Sequence, residues 1–88
     1  MSEPVTPFVP SYAPWRHGGW YVTNIRHPGG ACGCVSRNYP DKKWRIVCDP
    51  RPGGEEHTYR NRDAAARAEY ELSVAHHRVL GIDPTAAA

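Results

Sequence analysis

The side chains best suited to chemistry are three cysteines and five histidines. Cys32, Cys34, Cys48 and His57 carry the thiolate and imidazole donors of a tetrahedral zinc site, which would staple a small core. Their spacing argues against one. Structural zinc sites space paired ligands by about two to four residues in a turn, and no second close pair exists here. The cysteines are read instead as small core residues, and no metal is assigned. His17, His27, His57, His76 and His77 are scattered, and His76 and His77 diverge by about 100° on a helix, so they read as caps or solvent-facing groups. The sequence holds no paired carboxylates, no Ser-His-Asp order and no His-Glu-x-x-His run. Gly18-Gly19, Gly29-Gly30 and Gly53-Gly54 lie outside strand-to-helix junctions, where phosphate loops form. The expectation is a protein that is not an enzyme and needs no cofactor.

Charge is the second chemical resource. The 88-residue, 9.8 kDa chain has a net charge of only +2, but the sign is unevenly spread. Residues 15–62 hold nine Lys/Arg (Arg16, Arg26, Arg37, Lys42, Lys43, Arg45, Arg51, Arg60, Arg62) against four acids, which is +5; the remainder is −3. A basic stretch of this density suits a polyanion or an acidic protein surface, although a solvated charged face has the same composition.

The elements that must position these groups are short. A chain this size buries about 60 to 65% of its unfolded surface, so its core leans on three Trp, five Tyr and one Phe, or on a second subunit. Residues 1–18 form a Pro-rich leader with Pro4, Pro7, Pro10 and Pro14, expected to be flexible or packed on the surface; a polyproline ridge flanked by Val5, Phe8 and Tyr12 is the alternative. Residues 19–83 form one α+β domain, and 84–88 a frayed tail. Within the domain, residues 20–26, 31–39 and 43–48 read as strands, and 56–60 as an edge strand. Asn61 caps a helix that runs to Gly81, with Ala65, Ala68, Leu72, Ala75 and Val79 as its apolar stripe and Arg67, Tyr70, Glu71 and Arg78 opposite. The fold class is therefore α+β, a three- or four-stranded antiparallel sheet packed against one C-terminal helix.

Strand alternation puts Trp44, Ile46 and Cys48 toward the helix and Lys43 and Arg45 away from it. For residues 20–26 the inward set stays open: Trp20, Val22, Asn24 and Arg26, or Tyr21, Thr23 and Ile25. In the second case the outer face gathers Trp20, Asn24, Arg26, Lys43 and Arg45, joined by Arg37 from the middle strand. Arg and Lys neutralise phosphates, Arg and Asn grip purine edges, and Trp stacks on bases, so this set suits DNA.

The strand order and the segment Thr58-Tyr59-Arg60-Asn61-Arg62-Asp63-Ala64-Ala65 resemble the N-terminal arm-type-site-binding domain of phage integrases, the tyrosine recombinases. In that family an aromatic precedes a Thr-type cap and a Glu-Ala pair opening the helix. Tyr59, Asn61 and Ala65 match the aromatic, the cap and the Ala, whereas Ala64 stands in place of the Glu. The resemblance covers residues 19–75. It implies a sheet that enters the DNA major groove through Arg26, Arg37, Lys43 and Arg45. The chain lacks a recombinase catalytic domain, and its composition looks like that of small accessory proteins of actinobacterial phages. The resulting expectation is a small non-catalytic DNA-binding module of phage or mobile-element origin. The alternative is a protein-interaction module that modulates a host protein. A homodimer suits either. Without a signal peptide or an apolar run of about 20 residues, a cytoplasmic location is expected.

Overall fold

In the computed structural model, residues 8–15, 18–47 and 49–81 are described. Four strands form one antiparallel sheet in the order β1-β2-β3-β4: β1 Tyr12–Trp15, β2 Gly19–Arg26, β3 Cys32–Ser36 and β4 Arg45–Ile46. One helix, α1 Arg62–Val79, packs across the sheet, giving the α+β architecture expected. The strand expected at 56–60 reduces to a single bridge between Tyr59 and Trp44, preceded by a 3-10 turn, Gly54–Glu56. Asn61 caps the helix by accepting the Ala64 N–H at 2.7 Å, and Gly81, at φ 72°, ends it. Among the described residues no helix is long and apolar enough to cross a membrane.

The register settles which side chains face inward. Directly opposed residues share a face, so Trp20, Val35 and Ile46 lie together on the helix side, and Tyr21 and Cys34 lie on the other. Val22 also faces inward. Then β2 breaks phase: Val22 pairs with Gly33 and Arg26 with Cys32, so Thr23, Asn24 and Ile25 oppose no residue of β3. This bulge returns Ile25 to the core, where it is 1% exposed. Neither alternation proposed for residues 20–26 therefore holds along the whole strand. Val22, Ile25, Val35, Ile46, Ala65 and Ala66 form the core, flanked by half-buried Trp20, Trp44 and Tyr59.

Where the strand ladders end, α1 supplies hydrogen-bond partners to the strand backbone. The Glu69 carboxylate accepts the Cys34 N–H at 2.9 Å, and the Ser73 hydroxyl donates to the Arg26 carbonyl at 2.7 Å. His27 Nε2 donates to the second Glu69 oxygen at 2.9 Å. His77 is buried beside them, its Nδ1–H donating to the Ser73 carbonyl at 2.7 Å. The buried line of the helix is thus Ala65, Ala66, Glu69, Ser73 and His77. The expected stripe is rotated from this line: Ala65 belongs to both, Ala68 and Leu72 are half-buried, and Ala75 and Val79 are exposed. His77 is likewise a core residue rather than a cap. Backbone partners on the sheet offset the cost of burying Glu69 and Ser73, whereas His77 is satisfied at Nδ1 alone, its buried Nε2 having no hydrogen-bond partner among the described residues.

The second half of the leader is an element of the fold. Residues 12–15 pair with β2 as the edge strand, and Asn24 holds the residues before it, accepting Ser11 N–H at 3.0 Å and donating to the Val9 carbonyl at 2.8 Å. Phe8 stacks on Tyr70 with ring centroids 4.1 Å apart, and the Tyr12 hydroxyl donates to Asp63 at 2.5 Å. The polyproline ridge through Pro4 and Val5, like Pro7, lies outside the described residues.

A Cβ at Gly33 would stand 2.9 Å from both Glu69 Oε1 and the Ile25 Cβ. Gly33→Ala is accordingly expected to lower unfolding free energy by about 1–3 kcal/mol in urea denaturation. Burial first, then the bond to Asp63, push the Tyr12 phenol up to about 12. Because the folded value is raised, the contact stabilises the fold below about pH 10 and is lost as pH rises through 12. Phenolate absorbance should show a late-titrating component that Tyr12→Phe removes.

Candidate nucleic-acid interface

The connection between β3 and β4, residues 37–44, carries Arg37, Lys42 and Lys43 in eight positions. It is folded by its own hydrogen bonds. Asn38 N–H donates to Ser36 Oγ at 3.0 Å, Tyr39 N–H to the Arg37 carbonyl at 2.8 Å, and Lys42 N–H to the Tyr39 carbonyl at 3.0 Å. Asp41 is its hub. Its carboxylate accepts Lys43 N–H at 3.1 Å and both terminal nitrogens of Arg45, at 2.8 and 2.7 Å. The Arg45 guanidinium also lies 4.7 Å from the Tyr39 ring centroid. The hydrogen bonds from Arg45, then from Lys43 N–H, hold the Asp41 carboxyl well below the usual carboxylate range.

A second acid is consumed in the same way. Arg51 Nη2 meets Asp49 at 2.6 Å and also donates to the Tyr59 hydroxyl at 2.9 Å. That contact pulls the Asp49 carboxyl down and pushes Arg51 further up. With Asp41 and Asp49 occupied by Arg45 and Arg51, the cations Arg37, Lys42 and Lys43 are exposed and have no ion-pair partner among the described residues. Arg37 rests 5.8 Å from the Trp44 ring centroid. Trp44 and Tyr59 exchange backbone hydrogen bonds at 3.3 and 2.9 Å, which brings exposed Arg60 to the same end of the molecule. The helix starts there, adding the positive end of its dipole.

Lys42 has a left-handed backbone, φ 59°, a conformation that costs a side-chain-bearing residue about 1–2 kcal/mol. Gly18, Arg37, Asn38 and Lys42 line a shallow depression beside it. A rigid turn with three free cations and the exposed Asn38 can neutralise and position phosphates.

The six residues expected to form one basic sheet face are not brought together. Arg37 and Lys43 share the β3–β4 connection. Arg45 is on the neighbouring strand but its guanidinium is committed to Asp41 and Tyr39, leaving its side chain 14% exposed. Arg26 lies at the opposite end of β2, paired with Cys32. The Asn24 amide holds the leader. Trp20 points toward the helix, half-buried, with the Arg62 guanidinium 4.8 Å from its ring centroid and 3.9 Å from that of Tyr12. The outer face of the sheet carries Trp15 and Tyr21, 6.2 Å apart, and buries Cys34 and Ser36, so it is not a flat basic surface.

The zinc alternative gains no geometry. Among the described residues no three His, Cys, Asp or Glu side chains gather to hold a metal ion. Cys32 Sγ contacts the Val22 carbonyl at 3.2 Å, Cys34 faces away from the helix, and Cys48 lies outside the described residues. Sequence reasoning missed Lys42, Asn38 and Arg60 as members of the basic end. The available signal was the spacing of Asp41 and Arg45, four apart, which removes that arginine and leaves its neighbours free. Comparison of the chain with protein-family models, curated proteins and solved structures returns no match.

Asp41 should remain ionised as pH falls through about 4, where an ordinary aspartate titrates. Its depressed folded value means that its contribution is present above that pH and is lost only further down. A carboxyl carbon NMR titration checks this, and Arg45→Ala should return the midpoint to the ordinary range.

Proposed function

We propose that this protein is a small non-catalytic module that binds DNA through the connection between β3 and β4, with Arg37, Lys42 and Lys43 as phosphate contacts and Asn38 and Arg60 beside them. The observation that supports it is the unequal use of charge: the structure spends Asp41 and Asp49 on Arg45 and Arg51 and leaves three adjacent cations on a rigid turn. A turn fixed by Asp41 presents those cations without further ordering, which lowers the entropic cost of binding. The β3–β4 pair is narrow enough for a major groove that admits a two-stranded ribbon. The resemblance to integrase arm-binding domains favours the same element while leaving the footprint displaced from the sheet face to its end.

Fluorescence anisotropy with a labelled duplex tests the proposal. The logarithm of affinity should fall against the logarithm of salt with a slope on the order of −3 for three phosphate contacts. Arg37→Glu combined with Lys43→Glu should weaken binding by at least about tenfold, and Arg26→Glu should change it by less than about twofold. Lys42→Gly separates stability from binding: relieving the left-handed strain should stabilise the fold by about 1 kcal/mol while weakening DNA affinity. Equal affinity in the Arg37/Lys43 double variant would refute the proposal.

A further inference from the structure

One flank of α1 is sealed and the other is bare. Tyr70 lies under Phe8 and Asp63 accepts from Tyr12, so the side of the helix that carries them is covered by the leader and β1. At about 100° per residue, Ala68, Leu72, Ala75 and Val79 fall on the other side of the buried line through Ala65, Glu69 and Ser73. That flank overhangs β4, which is only two residues long. Ala68 and Leu72 keep partial contact with the core, Ala75 is exposed, and Val79 is 82% exposed.

The spacing along this flank is four, three and four, the step of a heptad seam. Ala68 and Ala75 occupy one seam position and Leu72 and Val79 the other. Glu71 and Arg78 run beside them, also seven apart and of opposite sign. We propose that this flank pairs with the same flank of a second copy of the chain, the two helices antiparallel about a two-fold axis. In that arrangement Leu72 meets Ala75 of the second copy and Val79 meets its Ala68, a large side chain on a small one in every layer. The alanines let the axes approach to about 8 Å. Glu71 of each copy then lies beside Arg78 of the other, giving two opposite-charge pairs from one acid and one base. A parallel pairing would set Ala against Ala and lose both the layer fit and the charge match. The two-fold makes the interface self-complementary and closed. With a seam of four residues from each copy, against the roughly 20 to 30 a side of standard interfaces, the dimer is weak and depends on concentration.

Sedimentation equilibrium of the full chain without nucleic acid, from about 10 μM to about 1 mM, should show the mass rising from 9.8 kDa toward twice that value. Ala75→Arg, at an exposed position, should keep the helical circular dichroism and thermal midpoint of the parent and stay monomeric throughout. Glu71→Arg should raise the dissociation constant about tenfold, since both ion pairs become repulsive, and adding Arg78→Glu should restore it to within about twofold. A parent chain that is monomeric at every concentration overturns the proposal. So does a dimer that Ala75→Arg leaves intact, or a double exchange as weak as Glu71→Arg alone.

Discussion

The Glu69 carboxylate, 1% exposed, is the contact on which the arrangement of this small protein turns. A buried carboxylate is unfavourable unless its oxygens are satisfied, and here one takes a backbone N–H of β3 while the other takes the His27 ring. Each partner belongs to a different part of the sheet: Cys34 to the middle strand, His27 to the turn that follows β2. The helix is thereby fixed along its axis relative to the bulge, and Ser73, one turn further on, repeats the device with the Arg26 carbonyl. Directional bonds do here what a larger apolar interface does in a bigger domain, which suits a core whose fully buried side chains are few and of modest size.

Much of this fold was legible in the sequence because its signals are local. Asn61 and Gly81 mark the helix ends by their own side-chain and backbone chemistry, and the inward pairing of Trp44 with Ile46 follows from simple alternation. The bulge was not legible. Nothing in residues 20–26 announces that alternation fails after Val22, and the helix residues that meet the strand backbone, Glu69 and Ser73, lie 35 and 47 positions from their partners Cys34 and Arg26. The buried face of the helix was hidden for a non-local reason: a polar residue on a helix is read as solvent-facing until the backbone group it serves is known. The leader was missed for a related reason. Pro10 and Pro14 argue against a central strand but are compatible with an edge, where one side of the backbone needs no partner.

The candidate interface was half legible. Arg37 and Lys43, named from charge alone, lie together on the connection between β3 and β4. The engagement of Arg45 and Asn24 was hidden because side-chain type does not reveal prior commitment: one guanidinium is held by Asp41 and one amide by the backbone of Val9 and Ser11. Charge counting overstates an interface wherever acids stand four residues from bases, and it understates one wherever the remaining cations cluster on a turn.

The bond between Tyr12 and Asp63 joins residues 51 positions apart, and it closes the edge strand onto the first turn of the helix. The β2–β3 hairpin, by contrast, needs only neighbours and a short turn at residues 27–31. The β1–β2 hairpin is equally local, with Trp15 opposite Gly19, so loop-closure entropy places the docking of the sheet on the helix, rather than the pairing of β1, among the last steps. Until that step, Phe8 and Tyr12 lack their helix partners Tyr70 and Asp63, while β1 already covers the edge of β2. The edge that stays open is the outer side of β1, and there Pro14, which has no N–H to offer, limits pairing with any other extended segment.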